Sequence, residues 1–334
     1  MKSIAFISNH GGAGRTSLVY HLAWMYADLG LTVVAADLDP QARLSSMFLD
    51  DARLEAIWTG RSGSTVHDAL APLLAGNADV SEPHIERIAD RLDLLVGDFA
   101  LTADEDEFAS QWPACLDGKS KAFHVSSALA RVLAAAASSR DASLILVDLG
   151  PNLGALNRAA LLSVDRVAIP LAPDLPSLRG LQYLGAALRR WRADWQDRLR
   201  RHPETEHPLP AGTMEPAGYV VMRHAVRLDL PIHVQARWLD RIPAAYRESI
   251  LDERVPTGMS AADDEHCLAQ LGPFRSLMPL AQEARKPMFR LKPADGAIGG
   301  HTLAVADCYR DFRALARRLA DKTDLSLPAA GANA

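Results

Sequence analysis

The sequence has few cysteines, few lysines and no long hydrophobic run. The three cysteines (Cys115, Cys267 and Cys308) lie far apart without CxxC spacing, which argues against a disulfide framework or a zinc cluster and suits a reducing compartment. Lysine occurs at only six of the 334 positions, so the basic charge is mostly arginine. No apolar run approaches the ~20 residues that a membrane-spanning helix needs. These absences exclude a disulfide-stapled fold and a membrane-spanning one.

Positive charge is also not in excess. The net charge of −5 gives no overall attraction to nucleic acid, so any contact with DNA must come from a local patch. The chain starts with a strand-like run at residues 4–8 and shows neither the length nor the cleavage region of a signal peptide. We therefore predict a cytoplasmic protein, associated with the nucleoid if it binds DNA.

Short apolar runs alternate with longer helical patterns, which is typical of βα units around a mostly parallel sheet. We predict an α/β fold, a twisted sheet with helices on both faces. The predicted strands are residues 4–8, 32–36, 92–96, 144–147, 166–170 and 218–222. The predicted helices are residues 16–29, 43–49, 123–138, 154–163, 177–200, 229–240, 243–251 and 302–321. Residues 1–327 are expected to form one domain, with insertions at about 50–91, 202–217 and 252–267, and residues 328–334 a disordered tail.

The loop between the first strand and the first helix reads SNHGGAGRTS over residues 8–17. Glycines let successive backbone N–H groups turn inward, and the N-terminus of the following helix attracts anions. A phosphate-binding P-loop further needs a cation near the β- and γ-phosphates and a hydroxyl for Mg²⁺. Arg15 and Thr16 stand at those places. A glycine turn that merely caps a helix is the alternative, and the basic–hydroxyl pair disfavours it.

Aspartates follow two of the predicted strands. Asp37 and Asp39 belong to the segment DLDPQ after the second strand, and Asp148 follows the run at residues 144–147. Ligands bind at the carboxyl ends of the strands in open α/β sheets. Carboxylates there can position Mg²⁺, directly or through water, and orient an attacking water. Each aspartate by itself could be a helix cap or a turn residue, but together with the loop they favour a nucleotide site.

With these motifs the chain resembles the ParA/MinD family of deviant Walker ATPases. In that family the loop reads roughly KGGxGKT, the second strand ends in DxDPQ, and a later strand ends in Asp followed by a proline-containing turn. The corresponding segments here are residues 10–16, 37–41 and 148–154. The likeness runs over residues 3–48, 92–106 and 143–185, and faintly to 320. The resemblance implies a P-loop NTPase fold that binds ATP or ADP with Mg²⁺. It also implies a homodimer in the presence of ATP.

The resemblance assigns roles to individual positions. Asp39 would orient the hydrolytic water, Thr16, Asp39 and Asp148 would hold Mg²⁺, partly through water, and Asp37 would support the site. Arg15 would be the second catalytic residue. The phosphates would be held by the loop: His10, Gly11, Gly12, Ala13, Gly14, Arg15, Thr16 and Ser17.

Both lysines of the family loop are missing, because His10 and Arg15 stand in their places. Arginine keeps its charge and binds phosphate, but its planar fork is not equivalent to a compact ammonium. Histidine is shorter and mostly neutral at cytoplasmic pH. We therefore expect nucleotide binding with slow or absent hydrolysis.

Members of the family use the dimer to bind a surface. The candidate DNA patch is the arginine-rich segment around Trp191 and Trp195, whose charge could equally belong to a solvated helix end. Its proposed DNA contacts are Arg189, Arg190, Arg192, Arg223 and Arg227. The apolar stripe within residues 305–319 is better explained by docking onto the sheet than by membrane contact, so no membrane partner is expected.

Two functions remain open. The first is a ParA-like ATPase that acts in DNA segregation or positioning. The second is a catalytically weak nucleotide-binding regulator that recruits a protein partner. A dehydrogenase-type dinucleotide domain is disfavoured by the basic–hydroxyl pair that ends the loop and by the DLDPQ segment.

Overall fold

An eight-stranded sheet with helices on both faces organises the chain. We describe it from a computed structural model that covers residues 1–60, 64–202, 208–222, 232–254, 258–272, 274 and 276–328. The strands are β1 (Lys2–Phe6), β2 (Val33–Leu38), β3 (Glu86–Ala89), β4 (Leu92–Leu95), β5 (Leu144–Leu149), β6 (Arg166–Leu171), β7 (Glu215–Met222) and β8 (Cys267–Leu271). Their order across the sheet is β3-β4-β2-β5-β1-β6-β7-β8, and all neighbours are parallel except β3 and β4.

Thirteen α-helices lie within the described residues. They are α1 (Arg15–Asp28), α2 (Arg43–Phe48), α3 (Asp51–Thr59), α4 (Val66–Leu74), α5 (Leu101–Ala114), α6 (Ser120–Ser126), α7 (Ala128–Ser139), α8 (Ala155–Leu162), α9 (Leu175–Leu199), α10 (Ile232–Leu239), α11 (Ile242–Tyr246), α12 (Met278–Ala284) and α13 (Gly300–Lys322). A π-helix (Arg247–Leu251) follows α11, and short 3₁₀ helices are Cys115–Asp117, Met288–Arg290 and Pro293–Asp295.

The sheet separates two hydrophobic cores. One core packs α4 to α9 on one face of the sheet, and the other packs α1, α2, α3, α12 and α13 on the opposite face. The central strands β2 and β5 are buried along their whole length, as expected for parallel strands covered on both faces. The predicted α/β class, its mostly parallel sheet and all six predicted strands are confirmed.

Two strands were not predicted. The edge strand β8 begins at the last residue of the predicted insertion at 252–267, and β3 lies inside the predicted insertion at 50–91. Both are short edge strands that pair with a single neighbour. Their pairing partners, rather than their own residue pattern, make them strands. The predicted tail at 328–334 lies outside the described residues except for Pro328.

Helix α9 approaches the π-helix so closely at Gly185 that a side chain has no room there. A Cβ atom on Gly185 would lie 1.9 Å from the backbone oxygen of Ser249. Since backbone atoms cannot yield as a flexible side chain can, we expect Gly185→Ala to lower the free energy of unfolding by about 3 kcal/mol, at the upper end for overpacking. Chemical denaturation measures the loss.

Gly180 on the same helix is the matched control. A Cβ atom there would meet its nearest neighbour at 3.6 Å, an ordinary van der Waals distance. Gly180→Ala should be neutral or slightly stabilising, because alanine favours helix over glycine by up to about 1 kcal/mol. Equal stability of the two variants would refute the close approach of α9 to the π-helix.

Candidate functional site

The predicted P-loop joins the central strand β1 to α1. Gly12 and Gly14 have φ angles of 85° and 77°, a region that favours glycine over residues with a Cβ atom. Gly14 is also the residue that caps the N-terminus of α1. The loop therefore presents backbone N–H groups together with the positive end of a 14-residue helix, which is the arrangement that binds phosphate groups.

A cavity of about 660 Å³ opens in front of this loop. Every predicted phosphate-contacting residue lines the cavity, namely His10, Gly11, Gly12, Ala13, Gly14, Arg15, Thr16 and Ser17. Asp39 lines it as well, whereas Asp148 has no exposed surface. His10 is exposed at the loop. The structure thus places the predicted loop residues around one cavity large enough for a nucleotide-sized ligand.

The three predicted aspartates meet because of the strand register. Strands β2 and β5 are adjacent and parallel, and their register sets Asp37 directly opposite Asp148. Asp39 is the first residue after the end of β2. All three side chains are almost entirely buried. Their charges therefore need partners inside the protein.

Arg15 supplies the partner for two of them. Its Nε donates a hydrogen bond to Oδ1 of Asp148 at 2.7 Å, and its Nη2 donates one to Oδ2 of Asp39 at 2.8 Å. Arg15 itself is only 7% exposed. Burial raises the pKa of Asp148, and the Arg15 charge opposes that rise. Arg15 thus bridges the two buried carboxylates at the carboxyl end of the sheet.

Asp37 has a different set of partners. Its Oδ2 accepts hydrogen bonds from the backbone N–H and the hydroxyl of Ser45, each at 2.8 Å. Burial raises the pKa of Asp37 to about 7, and the negative charge of Asp148 adds to the rise. Ser45 lies in α2, so Asp37 fixes that helix against the end of β2. This contact fits the supporting role that we predicted for Asp37.

The far wall of the cavity was not predicted. It is formed by the C-terminal part of the chain, at Met278, Ala281, Gln282, Arg285, Lys286 and Met288. His21 of α1 links this wall to the loop, since its Nε2 accepts the backbone N–H of Met288 at 3.1 Å. The pair is 267 residues apart in the chain, and no local pattern could have signalled it.

The family resemblance implies Mg²⁺, and the residues meet this requirement only in part. Thr16 lines the cavity and offers a hydroxyl oxygen, a ligand type that Mg²⁺ accepts. Asp39 and Asp148 each already give an oxygen to Arg15. A guanidinium group and a divalent cation cannot share these carboxylates without strong repulsion. The site therefore does not fit a cation held by both carboxylates while Arg15 keeps this position.

The arginines of the candidate DNA patch are placed differently from one another. Arg192 donates to the backbone oxygens of Thr213 and Met214, at 2.7 and 2.8 Å, and Arg189 donates to the backbone oxygen of Ser249. Arg190 is exposed. Arg223 and Arg227 lie outside the described residues. Two guanidinium groups of the patch are thus committed to main-chain carbonyls, and Arg190 carries the exposed charge.

The tryptophans of α9 and the apolar stripe of α13 both pack into the hydrophobic cores. Trp191 and Trp195 of α9 are buried, and Trp195 stacks on Trp112 with ring centroids 5.9 Å apart. On α13 the predicted stripe packs into the second core through Cys308, Phe312, Leu315 and Leu319. In the described part of the chain, we find no helix with the length and apolar character required to cross a bilayer.

Comparison with known proteins places this architecture in a family. The family described as "AAA domain" matches residues 1–200. The chromosome-partitioning ATPase Soj of Treponema pallidum is 30% identical over 189 residues, which cover 57% of this chain and 64% of that protein. Protein IncC of Escherichia coli is 29% identical over 182 residues, 54% of this chain and 44% of that protein. The matches thus span less than two thirds of these curated relatives.

Solved structures agree in fold over nearly the whole chain. Protein DIP2308 from Corynebacterium diphtheriae has a TM-score of 0.73 at 20% identity and covers 96% of this chain and 98% of its own. A putative plasmid partition protein from Borrelia burgdorferi, bound to AMPPNP, has a TM-score of 0.58 at 16% identity, with 96% and 99% covered. At these identities the likeness is one of fold. The family match over residues 1–200 covers more than half of the chain, and the fold agrees with it. The chain therefore belongs to the ParA/MinD family of P-loop ATPases.

Proposed function

We propose that this protein is a ParA-like nucleotide switch that binds ATP or ADP at the P-loop and hydrolyses ATP slowly or not at all. The binding half of the proposal is supported by the loop itself. The glycine-rich loop, the N-terminus of α1 and the cavity in front of them offer the donors and the field that polyphosphates need. The exposed His10 and the hydroxyl of Thr16 border the same space.

One observation carries the hydrolytic half of the proposal, namely the double ion pair of Arg15. Asp39 is the residue that would orient the attacking water. One of its oxygens accepts from Arg15 and the other accepts the backbone N–H of Gln41 at 3.0 Å. A carboxylate whose oxygens are both engaged aligns a water poorly, and alignment of the nucleophile is a main part of catalysis in phosphoryl transfer. This geometry supports the proposal of slow turnover.

We further propose that the ATP-bound form is a homodimer that acts in DNA segregation or positioning, in the cytoplasm and with nucleoid association. The relatives named above as partition proteins support this choice. The alternative is a regulator whose nucleotide-bound form recruits a protein partner. The Arg15 ion pairs favour that alternative if they prevent turnover altogether.

Light scattering after size exclusion, with and without ATP, distinguishes the two when phosphate release is measured on the same samples. A dimer with turnover that DNA or a partner stimulates supports the segregation ATPase. A dimer without turnover supports the regulator. A protein that stays monomeric and unliganded at saturating ATP contradicts both.

If α9 contacts DNA, its arginines should differ in their effect on DNA affinity. Arg190→Ala should weaken binding to non-specific duplex DNA and reduce the slope of log affinity against log salt by about 0.9 if one phosphate contact is lost. Arg192→Ala removes the donor to two backbone carbonyls, so its main effect should be a loss of about 1–2 kcal/mol in the free energy of unfolding. Fluorescence anisotropy at several salt concentrations and chemical denaturation measure the two effects. DNA affinity that Arg190→Ala leaves unchanged would remove α9 from the DNA-binding surface.

A further inference from the structure

The oxygens that would face a metal ion in this site are almost all engaged by the protein itself. Asp39 gives Oδ2 to Arg15 and Oδ1 to the backbone N–H of Gln41, and Asp148 gives Oδ1 to Arg15. Oδ2 of Asp148 has no hydrogen-bond partner among the described residues, but it is buried. The other oxygen of this carboxylate accepts from Arg15, which lines the cavity. The carboxylates of Asp39 and Asp148 are therefore paired with the positive charge of Arg15.

The third carboxyl group of the cluster, that of Asp37, is also engaged by the protein. Asp37 accepts two hydrogen bonds from Ser45 through Oδ2, and its Oδ1 accepts the backbone N–H of Asp39 at 3.3 Å. It faces α2 rather than the cavity. A divalent cation bound by Asp39 and Asp148 would lie beside the positive guanidinium group of Arg15. Two cations at contact distance repel strongly in a buried site.

Positive charge is available to a polyphosphate in this cavity without a metal ion. Arg15 is part of the loop and lines the cavity. Arg43, at the first position of α2, also lines the cavity and is exposed. The backbone N–H groups at the N-terminus of α1 add a positive field. These groups can take over the charge compensation that a divalent cation supplies to a nucleotide.

We infer that Arg15 acts as a built-in cation in this site, so that the protein binds ATP and ADP without requiring a divalent cation. The inference rests on the proposed function, because it concerns how the same cavity holds its nucleotide. It differs from slow hydrolysis, since a site could bind nucleotide only with Mg²⁺ and still fail to hydrolyse it.

Calorimetric titration with ATP, once with excess Mg²⁺ and once with excess EDTA, tests the inference directly. The dissociation constant of the wild type should differ between the two conditions by less than about threefold. Arg15→Lys is the matched variant, because lysine keeps the charge but lacks the fork that bridges both carboxylates. Its affinity should fall by at least about tenfold when Mg²⁺ is removed.

Each outcome has a defined meaning. A wild type that loses tenfold or more in EDTA overturns the inference and leaves nucleotide binding intact. No binding to the folded wild type under either condition overturns the proposed function and the inference with it. The wild-type comparison decides even if Arg15→Lys fails to fold. In that case the variant Arg43→Ala, on the exposed side of the cavity, should bind ATP more weakly in EDTA than in Mg²⁺. An affinity ratio equal to that of the wild type would count against the built-in charge compensation.

Discussion

Replacing Arg15 with alanine should lower the free energy of unfolding by about 3 kcal/mol in the absence of any ligand, because two buried carboxylates lose their common partner. The estimate lies at the lower end for a broken buried ion pair, since Asp39 borders the cavity and water can reach it. Asp148 has no exposed surface and bears most of the cost. Chemical denaturation of the ligand-free protein gives the value.

Two controls make this prediction specific. Arg190→Ala removes an exposed arginine of α9 and should stay within about 0.5 kcal/mol of the wild type. The double variant Arg15→Ala with Asp148→Asn should recover part of the loss, because the buried charge is removed together with its partner. If Arg15→Ala is as stable as Arg190→Ala, Arg15 does not hold these carboxylates in solution.

Replacing Arg15 with lysine should raise ATP turnover by at least about tenfold, which corresponds to about 1.4 kcal/mol in the activation free energy. A lysine has a single compact ammonium group and cannot bridge Asp39 and Asp148 as a fork does. It would leave an oxygen of Asp39 free to align water, and its charge would suit the β- and γ-phosphates. Steady-state phosphate release with saturating ATP and Mg²⁺ measures the change.

The gain must depend on Asp39 if this explanation is right. Adding Asp39→Ala to Arg15→Lys should return turnover to the wild-type level or below. His10→Lys, which restores the other lysine of the family loop at an exposed position, should add less than Arg15→Lys when introduced singly, because it leaves Asp39 paired with Arg15. Rapid turnover by the wild type, or no gain in Arg15→Lys, would contradict the role assigned to the arginine.

Much of the fold could be predicted because its signals are local. The buried strands of a parallel sheet are continuous apolar runs, and β2 and β5 were found on that basis. The loop after β1 was found from its glycines and its basic–hydroxyl pair. The edge strands β3 and β8 were missed because they depend on a neighbour to pair with. The π-helix was also not predicted as such, since its residues were assigned to a longer helix at 243–251.

The candidate site shows the same division between local and distant signals. The sequence placed Arg15 and the aspartates at one edge of the sheet, but the direction of the Arg15 side chain depends on the register that sets Asp37 opposite Asp148. The wall around Gln282 comes from more than 260 residues away and has no motif. On α9 the arginine run predicted a basic surface, whereas packing turned Arg192 toward main-chain carbonyls.

We propose, in short, that the loop after β1 binds a nucleotide while Arg15 withholds the carboxylates of Asp39 and Asp148 from catalysis. A calorimetric titration of the wild type with ATP, combined with phosphate release from the same sample, tests it most directly. We expect saturable binding of one nucleotide per chain with little or no phosphate released. A folded protein that shows no saturable binding, or one that releases phosphate rapidly without Arg15 being changed, would contradict it.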